Sequence, residues 1–265
     1  LPEKNMDAPL NPAQDESRAL RKITRQNYTL RALRTVWSEA PALLFAALLF
    51  NLACLPAALA AAAGLWRVAG VLTVVFVAPA WLAMLAWIHA AVNANATAGR
   101  DPLPVGERPA AGYFFRCFAR FYRRAFVLGA VLYLAGWGLV VSAPAAGAGF
   151  AAAQGVGLVR ALAAGFVFLY AAVLALYAFP LTAVHDITLR AAARNAVVLS
   201  SRYILPTISL ILLIVMCGLL VVFVSSGLLF FLPTLVAVFA LFTTYMVVAE
   251  ETGKQERRPP GERGE

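Results

Sequence analysis

Six apolar stretches of about twenty residues or more divide this chain, at about 40 to 63, 68 to 92, 123 to 143, 156 to 183, 204 to 225 and 227 to 249. Wound as a helix at about 1.5 Å per residue, each is long enough to cross a hydrocarbon core of about 30 Å. A soluble chain of 265 residues builds one or two cores and has nowhere to hide six such runs. Only 13% of the residues are charged, against roughly 25% in an ordinary soluble domain, so the bilayer takes the role of solvent. Backbone polar groups in lipid must be satisfied within their own segment, which favours helices. The expected fold is therefore all-α: a polytopic membrane bundle of about six transmembrane helices with amphipathic cytoplasmic interfacial helices.

The polar segments complete the organisation. Residues 1–14 read as a flexible N-terminal segment without an apolar core, so no cleavable secretory signal is expected. Residues 15–38 read as an interfacial helix, because Leu20, Ile23, Leu30, Leu33 and Trp37 recur at helical spacing while Arg18, Arg21, Lys22 and Arg25 point elsewhere. Residues 39–249 form the six-helix transmembrane domain. The tail, residues 250–265, is rich in Pro, Gly and charge and is expected to be disordered.

Charge sets the expected orientation. The net charge is +9, and of 22 Lys and Arg residues all but Arg67 and Arg160 fall on one side of the six spans. Basic residues concentrate on the cytoplasmic side of membrane proteins, so both termini are expected in the cytoplasm. The connections on the other side are short or built of small residues, which leaves little material for an ectodomain.

The densest positive charge lies in "GYFFRCFARFYRRAF", residues 112–126, directly before the third span. At about 100° per residue, Arg116, Arg120, Arg123 and Arg124 fall within an arc of about 100°, and Phe114, Phe115, Phe118, Phe121, Tyr122 and Phe126 lie opposite. Such a helix belongs at the water boundary, its arginines reaching anionic headgroups or a partner protein. After the fourth span, "FPLTAVHDITLRAAARNAVVLSSRYILPTISL" repeats the plan, with Arg190 and Arg194 one turn apart and Pro206 marking the start of the next span. Nucleic acid is not an expected partner, because no base-reading fold accompanies the charge.

Few polar groups interrupt the spans. Asn51 sits mid-span and must find a partner in a neighbouring helix, in water or in a substrate. His89, near an inner span end, reads as structural or interfacial, with proton handling as the alternative. His185 and Asp186 read as a cap or interfacial contact. Pro56, Pro79, Pro180 and Pro233 can kink their helices and free backbone carbonyls. The widely separated Cys54, Cys117 and Cys217 read as inert buried thiols rather than a disulfide framework or metal cluster. Phosphate-binding, nucleophile-elbow and zinc-protease motifs are missing, as is any ladder of intramembrane acids. No enzyme activity, metal or cofactor is expected.

In the order "NLACLP", "GYFFRCFARFYRRAF" and "YAFPLTAVHDITLRAAARNAVVLSSRYILP", the chain resembles the YesL-like family of bacterial membrane domains over roughly residues 15–248. Phe115, Phe118 and the arginines carry the second motif, and Phe179, Pro180, Leu189, Asn195 and Pro206 carry the third. The resemblance implies a small polytopic protein of the bacterial cytoplasmic membrane, encoded beside carbohydrate ABC importers, with no known activity. Residues 191–213 also resemble the loop of ABC importer permeases that presents a coupling helix to the ATPase.

The expected function is that of an auxiliary subunit of an ABC-type, carbohydrate-like transport system. The six arginines 116, 120, 123, 124, 190 and 194 would contact anionic lipid and a partner subunit or a second copy of the chain. One alternative is a stand-alone permease with a path lined by Asn51, His89 and the proline-kinked segments. Another is a structural or assembly factor of a membrane complex.

Overall fold

A computed structural model describes residues 37, 40–96, 111–151, 155–223 and 230–255. The interfacial helix expected over 15–38 lies outside the described residues except for Trp37. The helices are α1 (Ala40–Ala62), α2 (Trp66–Leu72), α3 (Ala78–Ala96), α4 (Ala111–Ala151), α5 (Gly155–His185), α6 (Leu189–Arg202), α7 (Ile204–Phe223) and α8 (Leu232–Gln255), and among the described residues there is no strand.

Four rods are long and apolar enough to cross a membrane: Ala40–Ala62, Trp66–Val92, Gly112–Ser142 and Gly157–His185. Helices α6 and α7 together pass the same test but are bent by 99°, and the apolar part of α8 is the shorter Leu232–Val248. The chain is a multi-pass helical membrane bundle.

Helix α3 is its axis. Leu82, Ala83, Met84, Leu85 and Ile88 are fully buried, and the helix packs against α1, α4, α5 and α8. A helix apolar on all sides settles where it has neighbours on all sides. On the outside, Leu48, Leu52, Leu55 and Leu59 recur every three or four residues along α1 and are exposed, as are Leu212, Val215, Met216 and Leu219 on α7. In water these stripes would drive aggregation; here they face hydrocarbon.

The turn between α1 and α2 follows from a glycine. Gly64 adopts a φ of 77°, its N–H donates to the Ala61 carbonyl at 2.9 Å, and the Leu65 N–H donates to the Ala60 carbonyl at 2.9 Å. This left-handed helix cap reverses the chain within a few residues. The second rod is one helix in three parts: α2, a π-helical turn over Thr73–Val77, and α3. Pro79 has no N–H to offer the carbonyl four residues earlier, Val75, which lies inside the widened turn. The Ala78 N–H bonds five residues back to the Thr73 carbonyl, and the Thr73 hydroxyl donates to the Ala69 carbonyl at 2.9 Å.

Three expectations are corrected. The basic aromatic segment is not a separate interfacial helix before the third span: α4 runs unbroken for 41 residues, about 62 Å, because neither proline nor a positive-φ residue interrupts its first half. The same helix continues through the Ala-rich stretch to Ala151, which shortens the connection read between the third and fourth spans; alanine is the strongest helix former. Helix α8 likewise extends to Gln255, so the first residues of the tail read as disordered are helical, Glu250, Glu251, Lys254 and Gln255 being good helix formers that outnumber Thr252 and Gly253.

Candidate functional site

At the basic end of α4 the structure assembles a contact from two separate parts of the chain. Arg120 and Arg124 lie one turn apart on α4. The three-residue link Asp186–Thr188 joins α5 to α6, and Asp186 takes the left-handed conformation there with φ 47°. Aspartate tolerates that region better than most residues. The turn aims the carboxylate at α4, where Arg120 Nη2 donates to Oδ2 and Arg124 Nη1 donates to Oδ1. Partial burial pushes the Asp186 carboxyl up, but the hydrogen bonds from Arg124 and Arg120 and their positive charge outweigh it, so the group is held below the ordinary carboxylate value.

This clamp fixes where α6 begins. Thr188 caps the helix, its hydroxyl accepting from the Ala191 N–H at 3.4 Å. Ala192, Ala196 and Leu199 are buried, and Ala196 and Leu199 join Tyr177, Ala178 and Leu181 of α5 in a small core. The opposite face carries Arg190, Arg194, Val197, Val198 and Ser201, all exposed. The helix stops at Arg202 because Pro206 has no N–H for it to accept from, and a single residue, Tyr203, makes the bend into α7. The bend is pinned from inside: the Tyr177 and Thr207 hydroxyls are hydrogen-bonded at 2.9 Å, and Thr207 donates to the Tyr203 carbonyl at 2.8 Å.

The six arginines grouped by sequence therefore fall into two sets. Arg120 and Arg124 hold the fold through Asp186. Arg116, Arg123, Arg190 and Arg194 are exposed and make no ion pair among the described residues. The aromatic side of the same helix divides as well: Phe114, Cys117, Phe121 and Ala125 enter the core, whereas Phe115 and Phe126 face outward.

Asn51 and His89 lie apart from this site. The Asn51 amide donates to the Ala47 carbonyl at 2.7 Å and to the Phe230 carbonyl at 3.2 Å, tying α1 to the turn that leads into α8. His89 Nδ1 is hydrogen-bonded to the Tyr245 hydroxyl, tying α3 to α8. Each polar group thus serves a helix-to-helix contact, and the structure does not bring the two together. The cysteines are free, with Cys117 and Cys217 buried.

A cavity of about 550 Å³ lies between the second rod, α4 and α5, lined by the π turn, Trp81, Gly129, Tyr133, Phe179 and Pro180 among others. Neither Asn51 nor His89 lines it. Comparison with family models, with curated proteins and with solved structures gives no match.

Asp186 is the functional residue that sequence reasoning undervalued, as a cap or interfacial contact without named partners. Its signal was present: it is the one Asp or Glu between Glu107 and Glu250. A lone acid in a strongly basic, apolar chain has few ways to avoid pairing.

Proposed function

We propose that this chain is an accessory subunit of a bacterial ABC-type transport system for a carbohydrate-like solute, seated in the cytoplasmic membrane with both termini in the cytoplasm. The exposed face of α6 and the adjoining arginines of α4 form the docking surface for a transporter subunit. The observation that carries this reading is the posture of α6. It is a short amphipathic helix between spans, held at 99° to α7, latched to α4 by Asp186, and presenting Arg190 and Arg194 beside the exposed Val197 and Val198. Two cations beside an apolar pair suit a protein surface that has an acidic patch next to an apolar one.

Two further observations support it. Twenty of the 22 Lys and Arg residues lie on the side assigned to the cytoplasm, where an ATPase or permease loop would be met. The resemblance to the YesL-like family brings the association with carbohydrate importers. The stand-alone permease draws less support, since Asn51 and His89 are both engaged in helix packing and the cavity lining carries no charge.

The test is a gentle detergent pull-down of the tagged full chain from its native membranes, with mass spectrometry of what accompanies it. The expected result is near-stoichiometric recovery of an ABC permease or ATPase, lost in the double variant Arg190→Glu and Arg194→Glu while membrane insertion is unchanged. Recovery of the chain alone, or with only its own copies, overturns the reading. So does a partner that survives the double variant.

A further inference from the structure

We propose that the cavity between the second rod, α4 and α5 binds one acyl chain of an anionic phospholipid, with the phosphate held by Arg67. The cavity's chemistry excludes most other occupants. Among its lining residues only Thr73 and Tyr133 carry hydroxyls, and Trp81 is the one further side chain with a polar atom. The Thr73 hydroxyl is spent on the Ala69 carbonyl. What remains is hydrocarbon of a volume, about 550 Å³, inside the range of ligand sites. An apolar void of that size beside a bilayer loses dispersion contacts on every wall unless a chain fills it.

Shape and charge then select the chain. The lining runs along α5 from Phe168 to Pro180, about 18 Å at helical rise, close to the roughly 15 Å depth of one leaflet's hydrocarbon. The flank of α5 is open to lipid, with Phe166, Phe168 and Leu169 exposed. At one end stands a polar relay. The Tyr133 hydroxyl has no hydrogen-bond partner among the described residues, the Tyr133 ring stacks on Trp137 at 6.3 Å, and the Arg67 guanidinium lies 5.8 Å from the Trp137 ring centre. Arg67 is also one turn before Gly70 of the lining, and it is exposed. A cation beside the mouth of an apolar slot, with aromatic rings between, is complementary to an amphiphile carrying a phosphate on a single seated chain.

The cavity exists because two helices diverge between points of close approach. A Cβ at Gly70 would lie 2.2 Å from a Tyr133 ring carbon, and one at Gly129 would lie 2.6 Å from the Ala78 Cβ. The π turn sits between those two tight contacts and widens the second rod there.

The experiment reconstitutes the full chain in nanodiscs of mixed phosphatidylethanolamine and phosphatidylglycerol. A trace of phosphatidylglycerol carrying a diazirine near the end of one acyl chain is photolysed, and adducts are mapped by mass spectrometry. Adducts are expected on Val74, Val77, Leu132 and Leu176, and unlabelled phosphatidylglycerol should compete them away while phosphatidylcholine does not. Arg67→Gln, at an exposed position that leaves the cavity intact, should cut the labelling about fivefold. Ala172→Phe, which fills the slot, should abolish it, with thermal unfolding confirming that the variant folds. Adducts as frequent on the outer faces of α1 and α7 as in the cavity would overturn the proposal, since that is the pattern of solvent lipid. Equal labelling by a phosphatidylcholine probe, or no effect of Arg67→Gln, would overturn the role of charge.

Discussion

Asp186 holds a backbone turn and two guanidiniums at once, and the two roles can be separated by substitution. Asparagine tolerates the left-handed φ of 47° as well as aspartate does but carries no charge, so Asp186→Asn keeps the turn and loses the clamp. Because the folded state holds this carboxyl below its ordinary value, the clamp stabilises the protein above the ordinary carboxylate range. That contribution is lost as pH falls through the folded-state value, below about pH 4. The wild-type protein should therefore melt above Asp186→Asn at pH 7, and the gap should narrow as pH falls below the ordinary carboxylate range. Side-chain exposure of 40% at Asp186 and 66% at Arg120 keeps the gap small, below about 1 kcal/mol. Tryptophan fluorescence in detergent at stepped pH reads it; a gap that is independent of pH would show that the ion pair contributes nothing.

Among the elements, the contact between α4 and the second rod depends on missing side-chain atoms, while the junction of α6 and α7 depends on a missing N–H. With the Cβ positions only 2.6 Å apart, Gly129→Ala forces α4 away from Ala78 and should cost about 1–3 kcal/mol, seen as a lower melting temperature. Adding Ala78→Gly moves the methyl group to the other helix and should restore most of the loss. At the junction, Pro206→Ala supplies the absent donor and lets α6 run on into α7. Spin labels at positions 194 and 215 lie about 21 Å apart along two rods at 99° and about 32 Å apart along one straight helix. The variant should show a population shifted toward the longer distance by pulsed spin resonance, with the Tyr177 to Thr207 hydrogen bond opposing the change. Helical periodicity alone located both elements in the sequence. It did not distinguish the continuous α4 from the broken α6–α7 pair, because both stretches are basic and amphipathic at their start and apolar afterwards; Pro206, four residues past the end of α6, is the local difference.

At the scale of the whole molecule, the distribution of basic residues makes a topological prediction. A cysteine in place of Arg67 should react with a membrane-impermeant maleimide in intact cells, and one in place of Arg116 should react only after permeabilisation; the reverse pattern would turn the bundle over. Length and composition were enough to establish a helical membrane bundle, because only segments that satisfy their own backbone can sit in hydrocarbon. The need of Asn51 for a partner was legible for the same reason. Its partner was not: the Phe230 carbonyl is 179 residues away, and nothing local specifies which helix will face it. The same limit applied to the arginines. Helical angle placed Arg116, Arg120, Arg123 and Arg124 on one face, but only the return of the chain after α5 brought Asp186 to two of them and left the others outward. The apolar cavity was least legible of all, since it is a gap between helices whose positions are decided by Gly70, Gly129 and a π turn packing against neighbours distant in sequence. Periodicity and charge act along the chain and so can be read from it. Partnership and empty space arise between elements and exist only once the elements have met.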